Sequence, residues 1–302
     1  HWYEPIGRWL IWNGKVWSLD DTKGIDRLAY QSIQNIYTEA LNKINEDERK
    51  SWVRHALASQ SQPRVSKMLE SAKPYLSVTG NELDDNPYLL NVQNGVLDLR
   101  HTQLLAHDSN GMHSKIANVT YEPNSLCPSW LKFLGLITNN NQGITSLLQR
   151  AAGYSLTGLT DSQALFFIYG DGANGKSTFI ETIRILVGTY GQKTDINSLL
   201  LNRSSGTNAN PYIAQMAGAR FVVASEVPDG RYLNEALVKD MTGGDAITAR
   251  HLYKAPFTFT PTHKLWIIGN HKPVVRGFDD AIWRRIILIP FTTTIPERER
   301  RP

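Results

Sequence analysis

The chain carries the run Gly170-Asp171-Gly172-Ala173-Asn174-Gly175-Lys176-Ser177-Thr178 near its middle. Its spacing matches the phosphate-binding P-loop, G-x-x-x-x-G-K-[ST]. An apolar run of strand length, residues 164–169, comes before it, and apolar residues at helical spacing, within 179–187, come after it. Glycines let backbone N–H groups surround phosphate oxygens, and the start of the following helix adds partial positive charge. The sequence therefore predicts a nucleoside triphosphate site between a strand and a helix.

Two residues of this run have distinct predicted roles. We expect Lys176 to reach the β- and γ-phosphates of ATP, and the hydroxyl of Ser177 to ligate Mg²⁺. We expect the rest of the run, from Gly170 to Thr178, to surround the phosphates. ATP and Mg²⁺ are therefore the expected cofactors.

Length and composition indicate a folded chain with room for two domains. It has 302 residues, of which 41% are hydrophobic and 20% are charged. No apolar run is long enough to span a bilayer, and no secretory signal opens the chain. Its single cysteine, Cys127, excludes an internal disulfide and a multi-cysteine zinc site. We therefore expect no membrane partner, no secretion and a cytoplasmic location in a bacterial or host cell.

The charge and the first residue add two expectations. The net charge of +4 is compatible with a nucleic-acid partner. The first residue is His1 rather than methionine, which suggests a segment of a longer protein.

A polar stretch between two prolines, residues 123–129, is the predicted domain boundary. Residues 1–127 combine short extended runs with helical patterns and a hairpin pattern at 89–99. Residues 128–302 alternate helical patterns with four apolar runs of strand length: 164–169, 221–224, 265–268 and 286–289. We therefore predict an α/β fold, with a P-loop ATPase core whose parallel sheet is flanked by helices in 128–302. A smaller, mixed and largely helical domain in 1–127 would precede it.

Hydrolysis needs a carboxylate near the attacking water and a group that senses the γ-phosphate. Glu226 follows the apolar run 221–224, and a carboxylate at the carboxyl end of such a strand faces the nucleotide crevice. Asn270 follows the run 265–268 in the same way. We predict that Glu226 polarises water or holds metal-bound water, and that Asn270 contacts the γ-phosphate or the water. The alternatives are an ordinary surface glutamate and a turn asparagine.

A positive charge for the transition state is predicted at Arg284 and Arg285. They follow Asp279 and Asp280 and precede an apolar strand. The planar fork of arginine suits a phosphoryl oxygen, and a neighbouring chain can supply such an arginine. The alternative is a salt bridge to one of the two aspartates, which we expect one arginine to form. Arg284 is the favoured candidate for the phosphate.

Residues 247–259 have the alternation of a β-hairpin with a basic, aromatic tip. His251, Tyr253 and Lys254 offer rings that can stack on bases and a charge for a phosphate. The hairpin is therefore a candidate contact for single-stranded nucleic acid. The alternative is a solvent-exposed hairpin with incidental charge.

Together these residues resemble the superfamily 3 helicases within the wider AAA+ ATPases. More narrowly they resemble the poxvirus-type and phage or plasmid primase–helicase ATPases. The matching runs are the P-loop, Ala224-Ser225-Glu226, Lys239 with Thr242-Gly243-Gly244-Asp245, Arg250 to Tyr253, Gly269-Asn270, and Trp283-Arg284-Arg285 leading to Pro290-Phe291. The runs Asn86-Pro87-Tyr88-Leu89-Leu90-Asn91 and Asn94-Gly95-Val96-Leu97-Asp98-Leu99 resemble the domain that precedes the ATPase. The sequence departs from the pattern at Ser225, where an acidic residue is usual.

The resemblance implies a homo-oligomeric ring, usually a hexamer, with ATP between subunits. Lys176, Ser177, Glu226 and Asn270 would lie on one side of the nucleotide, and an arginine of the 284–285 pair on the other. The hairpin would project into the central channel and pull single-stranded DNA from a forked duplex. Family members often carry a primase or polymerase module, which the resemblance implies for a full-length chain.

The leading hypothesis is an ATP-dependent DNA helicase or translocase of a phage, virus or mobile-element replication system. The alternative is an ATP-controlled, DNA-binding replication initiator or loading factor without processive unwinding. An RNA-directed ATPase is a third interpretation. A metabolic P-loop kinase is disfavoured, because it gives no reason for the hairpin.

Overall fold

The computed structural model describes residues 1–201, 211–225, 230–271, 275 and 280–299. Packing divides the chain into two compact units. The first comprises residues 1–13 and 17–80, and the second comprises residues 14–16 and 81–302.

The first unit combines a small sheet with three helices. Its strands are β1 (Trp2–Tyr3), β2 (Arg8–Trp12), β3 (Trp17–Leu19) and β4 (Ser77–Val78), in the order β3-β2-β1-β4. Its helices are α1 (Gly24–Leu41), α2 (Glu46–Ser59) and α3 (Gln62–Leu76). Ala29 and Ile33 of α1 pack with Val65 of α3 to form its core. The unit is mixed and largely helical, as predicted for the start of the chain.

Two details of this unit differ from the sequence-based expectation. The apolar pattern at 25–44 predicted a buried face to its end, but Leu41 is 76% exposed and Ile44 lies beyond the last turn in solvent. Helix α2 has no apolar period because it is rich in charge, and it is stabilised at its start by Asn45, whose side chain accepts from the amides of Asp47 and Glu48.

The second unit begins with a three-stranded antiparallel sheet of β5 (Leu89–Val92), β6 (Gly95–Asp98) and β7 (Gln103–Leu105). The predicted hairpin is confirmed by the pairing of Leu89 with Asp98 and of Val92 with Gly95. Leu90 and Val92 are buried in the same core as Phe166 of the parallel sheet described below. Packing therefore groups residues 81–127 with that sheet, whereas the sequence predicted a boundary at residue 127.

The remaining helices and strands of the second unit alternate along the chain. They are α4 (Pro128–Ile137), α5 (Gln142–Leu156), β8 (Leu165–Tyr169), α6 (Lys176–Val187), β9 (Gly191–Thr194), α7 (Pro211–Ala214), β10 (Phe221–Ser225), α8 (Glu235–Gly243), β11 (Ile247–Arg250), β12 (Pro256–Phe259), β13 (Lys264–Gly269), α9 (Asp280–Trp283) and β14 (Ile286–Pro290).

Five of these strands form a parallel sheet in the order β14-β8-β13-β10-β9. Alternate residues of β8 enter different cores, Phe166 and Ile168 on one face and Leu165 and Phe167 on the other. Helices cover both faces, since α4, α5 and α6 contribute to the first core and α8 to the second. The predicted parallel α/β sheet flanked by helices is confirmed. The edge strand β9 was not predicted, because Gly-Gln-Lys-Thr has no apolar signal.

None of the described helices is long and apolar enough to cross a membrane.

Candidate nucleotide-binding site

Glycine is required at two positions of the loop between β8 and α6. Gly170 has φ +145°, and a Cβ there would overlap the carbonyl oxygen of Phe291. Gly175 has φ +85°, and its Cβ would lie 2.6 Å from Cγ2 of Ile137. Both positions combine left-handed backbone with close packing, so the loop is pressed between the segment after β14 and helix α4.

Helix α6 starts inside the predicted P-loop, at Lys176. Its early backbone bond runs from the N–H of Phe179 to the carbonyl of Gly175, at 2.9 Å. The first amides of any helix have no acceptor within that helix and attract an anion. Ser177 and Thr178 are exposed in this first turn. The loop thus offers amides and two hydroxyls at one place, as a phosphate chain requires.

The side chain of Lys176 is turned into the loop and is only 7% exposed. Its Nζ donates to the carbonyls of Gly170 at 2.5 Å and Asp171 at 2.9 Å, and to Oδ1 of Asn174 at 3.1 Å. Burial lowers the pKa of the Lys176 ammonium, and the negative charge of Asp171 opposes that shift. The cation is thus held by neutral oxygens, for which phosphate oxygens are stronger acceptors.

The segment after β14 is hydrogen-bonded to the P-loop. Phe291 N–H donates to the carbonyl of Tyr169 at 2.8 Å, and Ile295 N–H donates to that of Ala173 at 2.8 Å. Asn174, which is 3% exposed, donates from Nδ2 to the carbonyl of Phe291 at 2.5 Å. We refer to residues 291–295 as the strap. The motif predicted Asn174 only as a residue near the phosphates, and its anchoring role depends on a strand more than a hundred residues away.

The topology brings two other predicted site positions to the P-loop edge of the sheet. Asn270 follows β13, whose Gly269 pairs with Tyr169 just before the loop, and Asn270 is exposed. Ser225 ends β10 at the same edge, opposite Ile268. Glu226 comes next in the chain and lies outside the described residues, so its role stays a prediction.

The two predicted arginines differ in their surroundings. Arg285 is 7% exposed, with Nε donating to Oγ1 of Thr242 at 3.2 Å and Nη1 to the carbonyl of Ala281 at 2.5 Å. Arg284 is exposed, and its Nη2 donates to Oε1 of Gln163 at 3.0 Å. Within the described part of the chain, neither side chain pairs with Asp280, while Asp279 lies outside it.

Both arginines lie at the edge of the sheet opposite the P-loop. The carbonyl of Arg285 accepts from the N–H of Leu165, the first residue of β8, at 2.7 Å. The length of β8, roughly 13 Å for four steps at about 3.3 Å each, separates that point from the loop. An arginine at this edge is placed for another chain rather than for the P-loop of its own chain.

The predicted hairpin is present as the antiparallel pair β11 and β12, with Arg250 opposite Pro256. At its tip Tyr253 is 94% exposed and Lys254 is exposed. His251 instead stacks on Phe257, with ring centroids 5.3 Å apart and planes at 13°. Burial lowers the pKa of His251, which favours its neutral form. Two of the three predicted contacts are therefore presented to solvent, and the third has a ring face covered.

Protein ligands for a metal are few at this site. Among the described residues, no group of three histidine, cysteine or acidic side chains is placed to bind an ion. Mg²⁺ commonly keeps several waters and binds through substrate phosphates with one or two protein ligands. The exposed Ser177 hydroxyl beside the helix start fits that mode of binding.

Comparison with known families gives two matches. Residues 3–139 match the family described as "D5 N terminal like". Residues 168–285 match a family of unknown function, DUF5906.

Relatives with names come from large DNA viruses. "Putative helicase L207/L206" of Acanthamoeba polyphaga mimivirus is 32% identical over 216 residues, which cover 69% of this chain and 22% of that protein. "Primase D5" of fowlpox virus is 23% identical over 312 residues, which cover 98% of this chain and 37% of that protein. The chain thus spans well under half the length of either relative. Among solved structures, the apo NrS-1 C-terminal region gives a TM-score of 0.47 at 12% identity, over 61% of this chain and 44% of that chain.

Proposed function

We propose, because the chain belongs to the D5-like, poxvirus-type group of helicase and primase proteins, that it is an ATP-dependent DNA helicase or translocase. Its named relatives are viral proteins called helicase or primase, and a role in replicating viral, phage or mobile-element DNA follows from them. In this proposal the chain is the ATPase part of a larger replication protein.

The observation that carries the proposal is the geometry of the P-loop. Two glycines with positive φ close the loop over the start of α6, and Lys176 is enclosed by oxygen atoms of the same loop. Asn270 lies at the same edge of the sheet. This combination suits a triphosphate, whose oxygens would replace the neutral acceptors of Lys176.

Each predicted residue has a role in the proposed hydrolysis. Lys176 stabilises charge on the β- and γ-phosphates, and Ser177 holds the Mg²⁺ that neutralises them. Glu226 accepts a proton from the attacking water or orients it, and Asn270 hydrogen-bonds the γ-phosphate or that water. The nucleotide lies between subunits of a ring, usually a hexamer, and the neighbouring chain supplies an arginine.

That arginine is Arg284 rather than Arg285. The guanidinium of Arg285 is buried and bonded to Thr242 and Ala281 of its own chain, so moving it would leave buried acceptors unpaired. Arg284 is exposed at the sheet edge that faces away from its own P-loop. Tyr253 and Lys254 at the hairpin tip contact single-stranded DNA, the base by stacking and the phosphate by charge.

The test is a strand-displacement assay on forked DNA with ATPase measured with and without single-stranded DNA. We expect displacement that depends on ATP, and a loss of turnover of at least about 100-fold in Lys176→Ala, because the phosphates lose a charged donor. Lys50→Ala, on the exposed face of α2, is the matched control and should keep full activity.

Normal turnover in Lys176→Ala would contradict the site. ATP turnover by the full-length protein without displacement would contradict the helicase and fit an initiator or loading factor. Light scattering on the same samples reports whether a ring forms.

A further inference from the structure

A cavity of about 690 Å³ lies beside the P-loop, within the second unit. Its volume falls in the range of about 300–1,000 Å³ that is usual for small-molecule sites. Three elements line it: helix α4, the P-loop with the first turns of α6, and the segment that continues from the strap to Arg298. The lining residues that matter here are Trp130, Phe133, Leu136, Thr178, Thr182 and Ile295.

Helix α4 is packed directly against the loop. A Cβ on Gly175 would lie 2.6 Å from Ile137 and 3.1 Å from the ring of Phe133. Trp130 stacks on Phe179 of α6, with centroids 5.5 Å apart and planes at 21°. The aromatic wall of the cavity is therefore fixed in position relative to the phosphate-binding turn.

The sheet order indicates which end of a bound nucleotide faces the cavity. Strands β13 and β14 pair with opposite edges of β8, the P-loop strand. Asn270, the proposed contact of the γ-phosphate, follows β13, whereas Ile295 of the cavity follows β14. A triphosphate with its γ end toward Asn270 must direct its nucleoside the other way, toward α4 and the strap.

We propose that this cavity binds the nucleoside of the triphosphate, with the base against Trp130 and Phe133. The inference rests on the proposed nucleotide site and adds the part of the ligand that the P-loop motif leaves unassigned. Aromatic rings give a base a stacking surface, and the wall of Leu136 and Ile295 gives it an apolar edge. The hydroxyls of Thr178 and Thr182 line the side nearest the phosphates, where the ribose would lie.

Two ligands separate the base from the phosphates. Mg²⁺-ATP carries both, whereas inorganic tripolyphosphate with Mg²⁺ carries the phosphate chain alone. Binding of each to the intact chain is measured by calorimetry. The informative variant is Thr182→Trp, which fills the cavity from an exposed position of α6 and removes no packed aromatic ring. Ile185→Trp adds the same side chain on α6 at a position that is 57% exposed and outside the cavity.

We expect Thr182→Trp to weaken ATP binding about 10-fold, the value of one lost base-stacking contact, and to leave tripolyphosphate binding unchanged. Trp130→Ala should show the same difference between the two ligands, and Ile185→Trp should change neither. Undiminished ATP binding in both Thr182→Trp and Trp130→Ala, or equal weakening of both ligands, would overturn the cavity assignment.

Lys176→Ala in the same series separates this failure from that of the nucleotide site. If Lys176→Ala weakens both ligands while the cavity variants weaken neither, the P-loop proposal stands and the cavity proposal falls. If Lys176→Ala also changes neither, both fall.

Discussion

Gly170 and Gly172 are two residues apart in the P-loop, and their surroundings are opposite. Gly170 has φ +145°, and a Cβ would overlap the Phe291 carbonyl of the strap. Nothing lies within 4 Å of a Cβ built on Gly172. The motif treats the two glycines alike, while packing makes only one of them indispensable to the fold.

We expect Gly170→Ala to destabilise the protein by about 1–3 kcal/mol, because the alanine is strained and displaces the strap. Gly172→Ala should change the free energy of unfolding by less than about 0.5 kcal/mol. Thermal and urea melts of the two variants measure the difference. Equal melting of the pair would show that the strap contact does not stabilise the loop.

At this scale the sequence predicted chemistry better than packing. Lys176, Ser177 and Asn270 lie where the motif and the strand ends predicted. The anchoring role of Asn174 and the burial of Arg285 were not predictable, because both depend on partners distant in sequence, Phe291 and Thr242.

The amino ends of two central strands stabilise the end of helix α5. Arg220, just before β10, donates to the carbonyl of Leu156 at 2.6 Å. Lys264, the first residue of β13, donates to the carbonyl of Thr157 and to that of Leu159 at 3.0 Å. Cations there satisfy carbonyls that a helix leaves unpaired at its end. Burial lowers the pKa of Lys264 to about 6, and the nearby charge of Arg220 adds to that shift.

His263, adjacent to Lys264, makes folding sensitive to acid. It is 2% exposed, and neither ring nitrogen has a hydrogen-bond partner in the described part of the chain. Burial, with a smaller effect of the Lys264 charge, lowers the pKa of His263 from 6.5 to about 3. Between those values the unfolded chain binds a proton that the folded chain does not, so stability is retained above about pH 6.5 and falls as the pH decreases.

We expect the contribution of this histidine to be about 1.4 kcal/mol per pH unit between about pH 6.5 and pH 3. His263→Leu should reduce the slope of unfolding free energy against pH in urea titrations. The control is His55→Leu, at an exposed position of α2, which should leave the slope unchanged. An unchanged slope in His263→Leu would show that other groups cause the acid sensitivity.

The hairpin of β11 and β12 is the element proposed to hold DNA. Lys254→Ala removes its exposed charge and should weaken single-stranded DNA binding, with a smaller dependence on salt, because one phosphate contact is lost. ATPase without DNA should stay normal. Fluorescence anisotropy at several salt concentrations measures both effects, and DNA binding equal to wild type would exclude the tip from the interface.

Across the whole molecule, apolar patterns predicted four of the five strands in the parallel sheet and the order of helices between them. The polar edge strand β9 and the charged helix α2 were missed, since neither has a periodic apolar face. The grouping of residues 81–127 with the sheet was also missed. A sequence shows which residues become buried but not against which element.

The shared site is testable by mixing subunits. Arg284→Ala and Lys176→Ala chains should each be inactive alone, because each lacks one half of every site. In a mixed ring some interfaces combine an intact P-loop with an intact arginine, so part of the ATPase should return. ATPase measured against mixing ratio gives the answer, and a flat line at the inactive level would exclude Arg284 as a residue supplied by the neighbouring chain.

The strap gives the P-loop a natural isotope reporter. The Ile295 amide hydrogen is bonded to the carbonyl of Ala173, at the crest of the loop. Bonded amides exchange with deuterium only when the bond opens. Deuterium uptake in a peptide around Ile295 therefore records how often the loop rearranges, without a dye, a label or a substitution in the loop itself.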